Sequence, residues 1–433
     1  MKSRKKGKFI IYVSLAVTFL LWLLSKNLPT EITAQPLVAI CQITALLGTI
    51  LFVWSMLLST RLDFLENLFG GLDKIYKIHR KVSEIGFVLI ILHPLTLALS
   101  SPEIGATYFF PVHTKAGVNL GVYSFWVFVT IILITLLVRN LKIPYHIWKQ
   151  THKFLNLAMA LALVHVVTIQ SDTSSFEPLG IWMKVLTGLG VASGLYMTFF
   201  YNKAGPRYEY EIVEIKRYGD IHDVFLKPIK HKLPYKLAQY VYVSFISEGI
   251  SKETHPYCIM SLPQEDILRF SIKELGDYTK KLGKLKVGDK AIVHGPYGHL
   301  SEKFVETDKD SVFIAGGIGI APFVSMFKQA SINNSRAKVT LFYCTKYKKE
   351  ASFEDELIQI AAANDNLKYY NQCSREINGG HLSIEQITSC APNTQNTNIY
   401  LCGPTKMMED MATKLIKAGF NKQNIILENF EML

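Results

Sequence analysis

Four histidines are the residues of this chain whose type and spacing could do chemistry. His79 and His93 stand 14 apart in one apolar stretch, and His152 and His165 stand 13 apart in another. An ionisable side chain inside an apolar span is costly and marks a functional position. A lone histidine there reads more simply as one hydrogen-bonded within a bundle; two spans with two each read as metal ligands. Neutral imidazole is a strong axial ligand for haem iron, and two per iron leave no open coordination position, so such a centre passes electrons. At helical rise the two steps are about 21 Å and about 19.5 Å, which suits two haems stacked through a bilayer. Facing is less even. A 14-residue step returns to within about 40° of its starting face, and a 13-residue step ends about 140° away. The second span is therefore expected to over-wind, kink, or use a histidine at its helix start. His146 is a rival ligand that faces no better, and His113 beside Phe109, Phe110 and Pro111 is expected at the surface.

A second group of residues suits phosphate and hydride chemistry. Gly316, Gly317 and Gly319 follow SVFIA and precede an apolar helical pattern that Pro322 begins. Such a turn lets backbone N–H groups approach a pyrophosphate at a helix amino terminus. After KVTLFYCT come Lys346, Lys348 and Lys349, with no carboxylate expected at the strand end. Cations there suit a ribose 2′-phosphate, so NADPH is favoured, with NADH possible. The six cysteines show no CxxC, no CxxCH and no zinc spacing, and five lie after residue 205, which fits a reducing compartment.

These residues need two kinds of scaffold. Of 433 residues 49% are hydrophobic, and mean hydropathy is +0.20, high for a wholly soluble chain. Apolar runs near 9–24, 37–58, 82–99, 120–138, 154–169 and 181–201 approach the ~20 residues that cross a bilayer. No small-residue cleavage site follows the first, so it reads as a transmembrane helix rather than a signal peptide. Arg61, Lys74, Lys77, Arg80, Lys81, Arg139, Lys142, Lys149 and Lys153 gather in alternate loops. That bias places those loops, and the polar half after the sixth span, in the cytoplasm of a multi-pass cell-membrane protein. It also accounts for much of the net charge of +12, which forms no basic stripe suited to nucleic acid. Residues 61–78 carry Leu62, Leu65, Leu68, Phe69 and Leu72 at helical spacing, which predicts an interfacial helix or a connector. From Arg207, alternating β-rich runs predict a small antiparallel barrel, and from Ser311 strands alternate with helices as in a doubly wound parallel sheet.

HRKVSEIGFVLIILHP and THKFLNLAMALALVH resemble the haem-binding helices of the ferric reductase and NADPH oxidase superfamily. The resemblance implies six helices holding two b-type haems, with His79 and His152 on the inner iron and His93 and His165 on the outer. It also implies a ferredoxin reductase-like module: an antiparallel β-barrel FAD domain and a doubly wound α/β nicotinamide domain. Within it His255, Pro256, Tyr257 and Cys258 are similar to the flavin-binding strand, with Tyr257 along the isoalloxazine. Cys258 departs from the usual Ser or Thr, and a thiol is the weaker donor. Gly276 and Thr279 would open a short helix toward the flavin pyrophosphate, and Gly295 to Gly298 resembles the turn that closes the barrel. Cys402, Gly403 and Pro404 are similar to the motif beside the nicotinamide, and Phe430 to the terminal aromatic that stacks on the flavin. The domains are expected at 1–204 (di-haem), 205–303 (FAD) and 304–433 (nicotinamide). The activity implied is transfer of electrons from NADPH through FAD and two haems to a small-molecule acceptor. O2 giving superoxide is expected first and a ferric chelate next; the lipid bilayer is the one other partner, with no obligatory protein partner evident. Delivery of electrons to a periplasmic protein, and a plain anchor for a soluble flavin reductase, are the competing readings.

Overall fold

The computed structural model describes residues 2–27, 29–138, 140–201, 205–333, 337–377 and 379–428. Two compact units divide the chain, Met1–Ala204 and Gly205–Leu433.

Among the described residues of the first unit, six helical stretches are long and apolar enough to cross a membrane: Lys6–Leu24, Pro36–Ser59, Leu72–Ser100, Ala116–Leu137, Ile147–Thr168 and Glu177–Phe200. Each is near or above the length that spans hydrocarbon. Apart from two short turns of helix, Thr30–Ala34 and Asp172–Ser175, the α-helices are α1 (Lys2–Leu24), α2 (Pro36–Ser59), α3 (Asp63–Phe69), α4 (Leu72–Ser100), α5 (Ala116–Leu137), α6 (Tyr145–His152), α7 (Leu155–Thr168) and α8 (Glu177–Leu195). Helix α2 is the most enclosed, with Ile50, Leu51, Phe52, Val53 and Leu58 buried. Phe52 meets Phe128 of α5 edge-on at 4.2 Å, which joins α2 to α5.

The single interfacial helix expected over 61–78 is two elements. Gly70 (φ 78°) and Gly71 (φ 122°) end α3, and Leu72 starts the third span directly. Positive φ at successive residues stops α-helical hydrogen bonding, and glycine adopts it without a Cβ clash. Leu72 and Ile75 are accordingly buried as the first turn of α4, while Phe64 stays 62% exposed on α3.

The second unit holds two sheets. The first is antiparallel, in the order β4-β3-β6-β1-β2-β5, built from β1 (Arg207–Tyr218), β2 (Ile221–Pro228), β3 (Tyr240–Ile246), β4 (His255–Cys258), β5 (Leu268–Lys273) and β6 (Lys290–Tyr297). Met260 N donates to Arg269 O at 2.9 Å, which ties the chain leaving β4 to β5 at the opposite edge. Inside it lie Tyr210, Ile212, Val224, Val243, Phe245 and Phe270. The second sheet is parallel, ordered β11-β10-β7-β8-β9 from β7 (Ser311–Gly316), β8 (Val339–Thr345), β9 (Leu367–Cys373), β10 (Asn398–Cys402) and β11 (Ile425–Leu427). Strands buried on both faces need continuous apolar runs, and β7 and β10 supply them. Strand order reverses between β7 and β10, the switch point where such sheets bind ligands.

Candidate functional site

The two histidines of α4 face α2, and those of α6 and α7 face α5. His79 Nδ1 lies 2.9 Å from Ser55 O, His93 Nδ1 3.0 Å from Cys41 O, and His165 Nδ1 2.8 Å from Gly117 O. A carbonyl only accepts, so each of these nitrogens carries the proton. His152 Nδ1 is 3.2 Å from Thr135 Oγ1, whose own proton goes to Ile131 O, so His152 also donates from Nδ1. Among the described residues none of the four Nε2 atoms makes a hydrogen bond. Nδ1–H held by the protein and an Nε2 lone pair left over is the tautomer that ligates a metal. His79 lies near His152 and His93 near His165, so the quartet falls into two pairs. No group of three or more His, Cys, Asp or Glu that could hold a bare metal ion occurs among the described residues. Two imidazoles per level fit haem, whose porphyrin supplies the other four donors.

The 13-residue step is resolved by over-winding. Between α6 and α7, Lys153 N, Phe154 N, Asn156 N and Leu157 N donate to the carbonyls three residues earlier at 3.0–3.2 Å. Such a 3₁₀ segment turns about 20° more per residue than an α-helix, so roughly four residues recover about 80° of the 140° offset. That brings His165 close to the offset of the 14-residue step on α4. Gly121 permits the fit, since a Cβ there would stand 2.7 Å from His165 Nδ1. The side chain of His146 lies outside the described residues. His113 is half-buried, stacked on Tyr108 at 5.4 Å, with Nε2 3.0 Å from Thr107 O. Lys26 is enclosed and paired with Asp172 at 2.7 Å.

In the second unit the strand alternation of β4 splits its four residues. His255 stacks on Tyr278 at 4.0 Å, and Tyr257 packs between Phe245 and Phe270 with its hydroxyl enclosed and unbonded. A buried hydroxyl without a partner costs stability and suits a bound ligand. Cys258, one step along, packs against the apolar cluster that contains Cys402. Burial pushes both thiols up, with Glu428 adding to each and Cys402 adding to Cys258. They remain neutral S–H groups. Gly276 N and Leu275 N both donate to Thr279 Oγ1 at 2.9–3.0 Å, so the hydroxyl closes the start of a five-residue helix, Asp277–Lys281. Gly295 and Gly298 bracket the end of β6, and the Glu428 carboxylate sits against Gly298.

At the switch point the loops after β7 and β10 touch. Cys402 pairs in register with Ala315, and a Cβ on Gly319 would stand 2.6 Å from the carbonyl carbon of Cys402 and 2.7 Å from Gly403 Cα. Only glycine allows that approach. Gly316 lies as close to Pro404, and Pro322 occupies the first turn of the following helix, Ala321–Ile332. Lys346 follows β8, where Arg375 N donates to Lys346 O and Ser374 N to Thr345 O, both at 2.9 Å. Two carboxylates fold back here: Glu350 accepts from Lys346 N at 3.4 Å and Glu376 from Lys348 N at 2.9 Å. They come from the turn after β8 and the loop after β9, not from the strand end.

Sequence reasoning missed Glu428, Ser374 and Arg375. The first stands two residues before Phe430; the others follow β9, which parallel pairing with β8 sets beside Lys346. Phe430 lies outside the described residues.

Three family descriptions match the chain: "Ferric reductase like transmembrane component" over residues 44–163, "FAD-binding domain" over 212–316 and "Oxidoreductase NAD-binding domain" over 313–413. His79, His93 and His152 fall within the first match and His165 two residues beyond it. Among curated proteins, one component of the Na(+)-translocating NADH-quinone reductase of Yersinia pestis (strain Pestoides F) is 30% identical over 166 residues, 36% of this chain and 40% of that protein. The same component from Methylococcus capsulatus is 31% identical over 157 residues, 34% of this chain and 38% of that one. The chain thus spans about two fifths of these relatives. Among solved structures, the flavohemoglobin of Malassezia yamatoensis is alike in fold, with TM-score 0.51 and 20% identity over 94% of this chain and 100% of that one.

Proposed function

We propose that this chain, whose six candidate membrane helices are followed by FAD- and NAD-binding domains in a ferric reductase/NADPH oxidase-like arrangement, is an NAD(P)H oxidoreductase that carries electrons from cytosolic NADPH across the membrane to O2, forming superoxide. The division of labour is 1–204 for two bis-histidine b-type haems, 205–303 for FAD and 304–433 for the nicotinamide. When bound, FAD would supply the exchange between two-electron hydride chemistry and single electrons, and haems held by the paired histidines would supply one-electron transfer.

The chain's own residues position and insulate. His79 with His152, and His93 with His165, present Nε2 lone pairs at two depths. Gly316, Gly317 and Gly319 offer backbone N–H groups to a dinucleotide pyrophosphate and Pro322 begins the helix behind them, and Lys346 and Arg375 bring positive charge to the ribose end. Cys402 and Cys258 line the hydride-transfer region as neutral thiols, with Phe430 proposed to cover the flavin. Tyr257, His255 and Pro256 form the flavin strand, and Gly276, Thr279, Gly295 and Gly298 shape the flanking turns. Gly403 and Pro404 set the Cys402 loop.

The observation that carries this reading is the protonation pattern of the four histidines, each bonded through Nδ1 and unbonded at Nε2. Purified protein given NADPH should reduce cytochrome c, and superoxide dismutase should suppress that reduction. Suppression is the expected result. Reduction indifferent to dismutase would overturn O2 as acceptor in favour of a ferric chelate, which the ferric reductase match over 44–163 favours as the second reading. A reduced spectrum without b-haem absorbance, in protein supplied with haem, would overturn the transmembrane path.

A further inference from the structure

We infer that Ser55 and Cys41 of α2 are paired positioning residues for the α4 histidines, locking their liganding tautomer and setting the reduction potentials of the two haem levels separately. The inference rests on the haem reading above.

The interval is the first observation. Ser55 and Cys41 are 14 residues apart on α2, as His79 and His93 are on α4, and each meets its histidine twice, through its carbonyl oxygen and through its side chain. Ser55 Oγ lies 3.0 Å from His79 Nδ1, and Cys41 Sγ lies 3.2 Å from His93 Nδ1. Both residues are buried, at 5% and 4% exposure.

Proton bookkeeping around His79 closes on itself. Ser83 Oγ donates to His79 O at 2.7 Å, so the 2.7 Å bond between Ser83 and Ser55 is donated by Ser55. The Ser55 hydroxyl has then spent its proton and meets His79 Nδ1–H as an acceptor. The ring His79, Ser55, Ser83 and back to His79 O permits one tautomer. The other level repeats the plan in softer atoms. Thr96 Oγ1 donates to Leu92 O and His93 O at 2.8 and 3.2 Å. His93 Nδ1 donates to Cys41 O, so Cys41 Sγ at 3.2 Å faces the same Nδ1–H as an acceptor.

Oxygen accepts more strongly than thiol sulfur. A stronger acceptor at Nδ1–H makes the imidazole a more basic ligand, which favours ferric iron and lowers the potential. Ser55 thus holds its level lower than a thiol would, and Cys41 leaves its level higher than a hydroxyl would. Thr135 and Gly117 serve His152 and His165 from α5 and stay unchanged in the test.

The test is spectroelectrochemical titration of b-haem absorbance in the full-length protein and its Ser55→Cys, Ser55→Ala and Cys41→Ser variants. Ser55→Cys and Ser55→Ala should raise one titration wave, and Cys41→Ser should lower the other. Each shift should be about three- to tenfold in the one-electron equilibrium, or about 30–59 mV at 59 mV per tenfold. Loosened packing would not move two waves in opposite directions. Two intact waves that stay put, or one wave answering to both sites, would overturn the inference and leave the haem reading standing. Wild-type protein without b-haem absorbance would overturn both. If Ser55→Ala fails to fold, the near-isosteric Ser55→Cys and Cys41→Ser still decide the matter.

Discussion

Cys258 ends β4, the proposed flavin strand, with a thiol where a hydroxyl would donate more strongly. Cys258→Ser is expected to speed flavin reduction by NADPH severalfold in stopped flow, with flavin content unchanged; an unchanged rate would remove Cys258 from the hydride-accepting environment. Burial raises the Cys258 thiol, with Cys402 and Glu428 adding to it. Sign follows directly: the folded protein keeps its proton while the unfolded chain ionises near the ordinary thiol value. The stabilising contribution is whole below about pH 9 and is lost as pH rises above it. Mass mapping after iodoacetamide at pH 8 should therefore find Cys258 and Cys402 unlabelled, whereas Cys390, part-exposed on its helix, takes label. Arg375 gives the matching test at the ribose end. Arg375→Ala should raise the KM for NADPH about tenfold with little change in kcat or in KM for NADH, as loss of one charge-assisted phosphate contact requires.

Helices carry the second scale. Gly121 keeps α5 against His165, so Gly121→Val should remove haem at the His93–His165 level and retain the other, seen as roughly half the b-haem absorbance per flavin. Full haem content would show that α5 can withdraw. The histidine spans were legible because apolar length, charge bias and a ligand quartet are all written in local sequence. The 13-residue step also announced a distortion. Its place, Lys153 to Leu157, was not legible, because 3₁₀ bonding is a competition between neighbouring carbonyls rather than a residue preference. The Gly70–Gly71 break was visible as a pair of letters, yet the apolar period running through it hid the change of element. Ser374 and Arg375 were missed because they act across a parallel strand pair whose register no local pattern reveals.

At the scale of the whole second unit, a guanidinium bridges the barrel and the parallel sheet. Arg269 of β5 forms hydrogen bonds with Asp223 of β2, which is fully buried, and with Glu356 in the helix Glu354–Ala362 at 2.9 Å through both terminal nitrogens. Phe225 and Phe353 flank its charge at 5.2 and 5.5 Å. Removing one partner of a buried pair leaves an uncompensated charge and costs about 3–5 kcal/mol. Arg269→Met should lower the unfolding midpoint of the module, and Asp223→Asn combined with it should recover part of the loss. Equal midpoints for all three proteins would show the pair to be idle. The two sheets were each readable from strand pattern, but this joint was not, since Arg269 and Glu356 lie 87 residues apart.

The equal interval on α2 and α4 has a consequence for descent. Fourteen residues separate the buttresses and fourteen separate the histidines they meet, so the two helices are graduated alike and read against each other from opposite ends. An insertion in the connecting loops leaves both scales intact. One inside either helix between its marks displaces one histidine from its buttress and spares the other, unless the partner helix changes length by the same amount. Related chains should therefore vary freely in length at the loops, and within these two spans only in step.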